Sequence, residues 1–125
     1  GAVIMTKRRS AEPEGARSRS AMRRLRERLA GLSSDDSDEI FCSGVMDSFK
    51  VFLGEKLRVA GRSLTTGEIE RLLSERKIDR SLIDEVNGLL SSCEYGAYAG
   101  GSAVEGRESL VDRATDTARK LDRVL

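Results

Sequence analysis

The sequence predicts an all-α fold, a compact bundle of about five helices with a helix–turn–helix corner around residues 66–98. Three observations predict it. Apolar residues recur at spacings of three and four along most of the chain, which lines one face of a helix. The single proline is Pro13, so everything from Ala16 onward is free of the strongest helix breaker. Five Phe and Tyr and no Trp among 125 residues suit aliphatic helical packing better than a β-sandwich. This length argues for one domain, and a body of about 90 residues buries roughly 60–70% of the surface its unfolded chain exposes.

Gly1 reads as a cloning or cleavage remnant, and residues 1–16 as a basic linker in which TKRRSAEPEGA is polar and broken by Pro and Gly. A helical domain over 17–125 follows. Its first helix, 17–32, keeps Met22, Leu25, Leu29 and Leu32 on one narrow stripe, with arginines elsewhere and Gly31 placed for a C-terminus. The core helices span 38–99. Asp36 is the expected cap of the first of these, with Glu39 three residues on. That helix should reach about Val59 and bury Phe41, Val45, Phe49, Phe52, Leu53 and Leu57. Asp47, Lys50 and Glu55 should face out, while Met46 and Val51 widen the apolar belt enough for contact on two sides.

In Leu64-Thr65-Thr66-Gly67-Glu68-Ile69, Thr65 is placed to cap, Glu68 to reach back to it, and Leu64 with Ile69 to staple the turn. A short helix to about Arg76 buries Ile69, Leu72 and Leu73. Asp79, with Ile78 and Ile83, repeats the device and starts a helix to about Tyr98. After Ala99-Gly100-Gly101 the last helix, 103–125, opens on a Ser102/Glu105 capping box. Leu110, Ala114, Thr117, Ala118, Leu121 and Leu125 share one face, and Arg107, Asp112, Arg113, Asp116, Arg119, Lys120 and Arg123 the other.

Little catalytic chemistry is legible. The chain has no His, which removes Ser-His-Asp and Cys-His activation. Cys42 and Cys93 form no CxxC pair and are too few for a thiolate zinc site. Both lie in apolar helical patterns, where free Cys behaves as a small hydrophobe; a disulfide or a redox role is the alternative. The acids of 35–39 lack the spacing and glycine of a calcium loop, and the glycines after residue 95 make no phosphate cradle. No enzyme activity, cofactor or metal is expected.

Charge is unevenly distributed. Residues 1–31 carry nine Lys/Arg against three Asp/Glu, and residues 32–125 carry thirteen against eighteen. The apolar Ala2-Val3-Ile4-Met5 running into Lys7-Arg8-Arg9 reads like the cytoplasmic end of a membrane span, although no window approaches the roughly 18–20 apolar residues of a crossing helix. Three readings of the Arg-rich helix stand open: attraction to anionic lipid headgroups, phosphate neutralisation on nucleic acid, and a plain solvated face. The apolar lead-in favours lipid. The candidate membrane-proximal residues are Lys7, Arg8, Arg9, Arg23, Arg24 and Arg28. No aromatic residue lies between the arginines, so base stacking has no support.

One run resembles a known family: Phe52-Leu53-Gly54-Glu55-Lys56-Leu57, then Leu64-Thr65-Thr66-Gly67-Glu68-Ile69, Leu72-Leu73, Ile78-Asp79, Leu89-Leu90 and Cys93-Glu94-Tyr95-Gly96-Ala97-Tyr98-Ala99. It is similar to the helical cytoplasmic C-terminal region of the bacterial BatD (oxygen-tolerance, aerotolerance) family, over about residues 40–100. The resemblance implies a non-catalytic protein–protein interaction domain, the tail of a single-span protein at the cytoplasmic face of the bacterial inner membrane. It further implies, as partners, von Willebrand factor A-type Bat proteins and a MoxR-class AAA+ ATPase. The expected contact surface is a groove beside the helix–turn–helix corner or the charged face of the last helix. The alternative, a helix–turn–helix nucleic-acid-binding domain, would need a basic second helix, yet residues 79–98 set Asp79, Asp84, Glu85 and Glu94 against a lone Arg80. Nucleic acid is therefore not the expected partner.

Overall fold

A computed structural model describes residues 14–98 and 106–125. It is all-α, with five helices and no strand among the described residues. Helix α1 spans Glu14–Ala30, α2 Asp38–Leu57, α3 Thr66–Glu75, α4 Arg80–Tyr98 and α5 Arg107–Val124, and a 3-10 turn, Gly61–Ser63, lies between α2 and α3.

The four long helices run alternately up and down, a direction fixed by which side chains meet. Lys56 near the end of α2 touches Ser18 at the start of α1, while Leu32, just past α1, covers Gly44 in the first half of α2. Lys120 reaches Glu85 and Arg113 reaches Ser92, so α4 and α5 are also antiparallel. Arg107 meets Asp38 and Asp122 meets Lys56, which sets α5 parallel to α2 across the bundle. Helix α2 packs on α1, α4 and α5 and is the centre of the fold, as its wide apolar belt predicts. Its buried positions include Phe41, Cys42, Val45, Met46, Phe49, Phe52, Leu53 and Leu57. Phe49 and Phe52 tilt against each other with ring centroids 6.1 Å apart, within the range of a favourable aromatic pair.

The basic helix is part of the body. Ala21, Met22, Leu25 and Leu29 are all buried, and Leu32 packs half-buried against the same core. Helix α4 buries Leu82, Ile83, Val86, Leu89, Leu90 and Cys93, and α5 buries Leu110, Ala114, Thr117, Ala118 and Leu121. Both cysteines are free thiols inside this core.

The capping box at Thr65 forms as the spacing predicts. The Glu68 amide donates to Thr65 Oγ1 at 3.1 Å and the Thr65 amide to Glu68 Oε1 at 2.9 Å. Leu64 and Ile69 are both buried beside it. The following corner closes on Lys77, left-handed at φ 59. There the Lys77 amide donates to Ser74 O at 3.0 Å and the Ile78 amide to Leu73 O at 3.1 Å, a Schellman ending. Asp79 O then accepts from the Leu82 and Ile83 amides. Helices α3 and α4 lie side by side rather than splayed, tied by Glu70 to Asn87 at 2.8 Å and by Thr66 to Glu94 at 3.2 Å.

Four expectations need correction. The cap of α2 is Ser37, not Asp36: Ser37 Oγ accepts from the Ile40 amide at 3.2 Å, and the Asp36 carbonyl is taken by Arg107. The same helix stops at Leu57, two residues short of Val59, because Arg58 turns left-handed at φ 63. Glu55 faces α1 rather than solvent, with a side chain only 17% exposed, because two arginines of that helix converge on it. Arg107 and Arg113 also leave the outward face expected of the last helix. Arg107 Nε bonds Asp38 Oδ1 at 3.0 Å, its other nitrogens hold the Ser34 and Asp36 carbonyls, and its guanidinium lies 4.9 Å over the Phe41 ring. Arg113 donates to Ser92 Oγ at 3.1 Å. The Ser102/Glu105 capping box lies outside the described residues.

Lys56 is the one cation of the interior among the described residues. Its side chain is 4% exposed, and its ammonium donates to Asp122 Oδ1 at 2.8 Å and to Ser18 O at 3.2 Å. Removing one partner of a buried pair costs about 3–5 kcal/mol, whereas an apolar residue of similar volume is often neutral. Asp122 is 33% exposed and can take up water, which lowers the cost here. We therefore expect Lys56→Ala to lose about 2–3 kcal/mol in urea unfolding, and Lys56→Met, which keeps the volume, to lose clearly less.

The Thr65 backbone amide, with its hydroxyl, holds the Glu68 carboxyl below its usual 4.5. A carboxyl depressed in the folded state stabilises above its unfolded pKa and loses that contribution as the pH falls through the folded value. The stability difference between the natural chain and Glu68→Gln should accordingly be full at neutral pH and shrink as the pH drops below 4.5; chemical denaturation across that window measures it.

Candidate functional site

The end of α2 builds a groove from backbone geometry. The Val59 amide donates to Gly54 O at 2.9 Å across the left-handed Arg58. Endings of this kind usually bring the residue after the left-handed position onto the side chain four residues before that position. Here that side chain does not exist, because the position is Gly54. Val59 is left 41% exposed.

The chain then folds back along α2 as the 3-10 turn, with the Leu64 amide on Gly61 O at 3.0 Å and Ser63 Oγ donating to Ala60 O at 3.2 Å. A Cβ added at Gly61 would stand 2.1 Å from Lys50 O, and one at Gly54 would stand 2.6 Å from Gly61 N. Both contacts are with backbone and cannot yield, so two glycines in van der Waals contact set the width of the fold here. Between the turn and the helix lies a groove of about 620 Å³, floored by Val51, Gly54, Val59, Ala60 and Gly61. Arg58 and Arg62 stand at its rim, with Glu55 and Ser63 completing the lining. The Glu55 carboxylate is held from the far side: Arg24 Nε lies 2.9 Å from Oε2 and Arg28 Nη1 3.8 Å from Oε1. An apolar floor under a cationic rim fits an aliphatic side chain on an acidic segment.

The residues singled out by sequence fall into three groups. Lys7, Arg8 and Arg9 lie outside the described residues. Arg24 and Arg28 are drawn onto Glu55, Arg24 also donating to Ser20 Oγ at 2.7 Å, so both serve the joint between α1 and α2. Arg23 remains on the outer face, 73% exposed and 3.5 Å from Glu27. With Arg19 and Arg26, also exposed, it forms a stripe at spacings of four and three. Among the described side chains of α1, the outward cations are thus Arg19, Arg23 and Arg26.

Of the two contact surfaces expected, neither is where the groove lies. It sits one connection earlier than the α3–α4 corner; the expected charged face of α5 carries a separate, more open hollow of about 670 Å³ beside Glu108, Asp112, Arg113 and Asp116. The groove was missed because no pattern of side chains announces it. The signal present was a pair of glycines, Gly54 and Gly61, flanking a helix end. Among the described residues no group of three or more His, Cys, Asp or Glu could hold a metal ion, and no described helix is long and apolar enough to cross a membrane.

Two glycine substitutions separate the close contact from ordinary helix propensity. Gly61→Ala should lower stability by on the order of 3 kcal/mol, because the turn must lift off α2. Gly67→Ala meets nothing within 4 Å and should instead raise it by about 0.5–1 kcal/mol. Thermal or urea unfolding of both variants reads the contrast. Comparison of the chain with protein-family models, with curated proteins and with solved structures gave no match.

Proposed function

We propose that this chain is a helical protein–protein interaction domain, acting by contact rather than catalysis as the cytoplasmic tail of a single-span bacterial membrane protein. The observation that carries the reading is the groove at the end of α2, where Val51, Val59 and Ala60 lie under Arg58 and Arg62. A preformed apolar hollow with a charged rim is what a docking partner needs: a place to bury a side chain, and charges that set its orientation. The Glu55, Lys56 and Arg107 ties keep the surrounding helices in register, so little ordering cost falls on binding.

The resemblance to the BatD family supplies the setting and the candidate partners, a von Willebrand factor A-type Bat protein and a MoxR-class AAA+ ATPase. Duplex binding by the α3–α4 hairpin is the weaker reading, since α4 presents exposed Asp84 and half-buried Glu85 and Glu94, which repel phosphate.

Isothermal titration of the chain with each of those two proteins, purified from the same genome, tests the proposal. A complex should form with at least one, and Val59→Asp should weaken it by about tenfold or more while leaving the unfolding midpoint within its usual surface range. Absence of a complex with both proteins, or affinity indifferent to Val59→Asp, would refute it.

A further inference from the structure

The up-and-down topology sorts charge by end. Lys56 joins the start of α1 to the end of α5, and Arg76, closing α3, donates to Leu57 O at the end of α2. One end of the bundle therefore gathers the exposed cations Arg19, Arg58, Arg76, Lys77, Arg119 and Arg123. Against them stand the exposed Glu75 and Asp79 of the α3–α4 turn and the Asp116 partner of Arg119, while Asp122 is held by Lys56. Arg80 and Lys120 lie at the same end and pair with carboxylates of α3, α4 and α5. The opposite end carries the connection with Asp35, Asp36, Asp38 and Glu39, joined by Glu108 at the start of α5, with Arg107 there held by Asp38 and by the connection's carbonyls. Helix α1 begins at the cationic end, and Lys7-Arg8-Arg9 precede it in the sequence.

We infer that this cationic end is a docking face for an anionic lipid surface, with the acidic connection of residues 31–37 pointing away from it. The inference deepens the membrane setting proposed above and rests on it. Complementarity of charge carries it: basic residues near an anionic leaflet are attracted over about a Debye length. The stripe Arg19, Arg23, Arg26 continues the cationic surface down the side of α1. Sequence alone placed the basic character in residues 1–31, whereas the fold adds α2, α3 and α5 to the same end.

Co-sedimentation of the full chain with vesicles of phosphatidylcholine, alone or mixed with phosphatidylglycerol, tests it. Binding should require phosphatidylglycerol and weaken with salt. The triple variant Arg19→Gln/Arg119→Gln/Arg123→Gln should lose binding on the order of a hundredfold, at about fivefold per residue. Its circular dichroism should match the natural chain, and Asp35→Asn/Asp36→Asn at the far end should bind at least as well. Equal binding to neutral vesicles overturns the inference. So does a triple variant that binds undiminished, since Lys7-Arg8-Arg9 would then suffice. Tighter binding to duplex DNA than to the anionic vesicles, lost in the same variant, assigns the face to nucleic acid and also overturns it. Val59→Ala trims the groove without adding charge at this end, so failure on vesicles and failure to bind a protein partner are read separately.

Discussion

A single buried ammonium determines how the bundle closes. Lys56 sits on the central helix with its charge between α1 and α5, bonded to a carbonyl of one and a carboxylate of the other. A charge taken out of water is costly unless it is paired and its remaining protons are satisfied. The two outer helices must therefore arrive at this point together, and one side chain ties three helices at this end of the bundle. Aliphatic seams alone would tolerate a slide of one turn, since a leucine stripe looks much the same after such a shift; the ammonium does not.

Arg107 does similar work at the far end. It holds two carbonyls of the α1–α2 connection, a carboxylate at the start of α2 and the face of Phe41. A connection rich in Ser and Asp has few apolar groups to bury, so its shape depends on such polar ties. With Glu55 binding α1 to α2, the bundle has a specific polar joint near each end and nonspecific apolar packing between them. This division suits a molecule whose surfaces must keep fixed relative positions, because polar joints specify geometry where apolar contact only stabilises.

Much of this was legible in the residues. The helices follow from apolar spacing, and the capping box at Thr65 from a Thr and a Glu three apart. The centrality of α2 follows from a belt of apolar residues too wide for one neighbour. What escaped were the interactions made by long charged side chains across large sequence separations. Glu55 and Arg107 read as outward residues by their charge, and Lys56, although it falls on the stripe of Phe49, Phe52 and Leu53, has no partner that the sequence names; only the fold shows what each meets. Arg24 and Arg28 look no different from Arg19 and Arg26 along the chain; the presence of Glu55 on the facing helix separates them. The misplaced cap has a cause of the same kind. Ser37 and Asp36 are both good capping residues, and Arg107, 71 positions on, takes the Asp36 carbonyl.

The glycine contact between the 3-10 turn and α2 has an evolutionary corollary. A vacancy in a protein surface is ordinarily open to erosion, since successive replacements by bulkier residues can plug it at small expense. Here the two floor positions nearest the helix axis, Gly54 and Gly61, admit no side chain, because each faces main chain of the other segment. The depression can be retuned at Val51, Val59 and Ala60, but it cannot be filled from beneath while the turn keeps its course. Descendants of this sequence inherit the hollow along with the corner, whatever comes to occupy it.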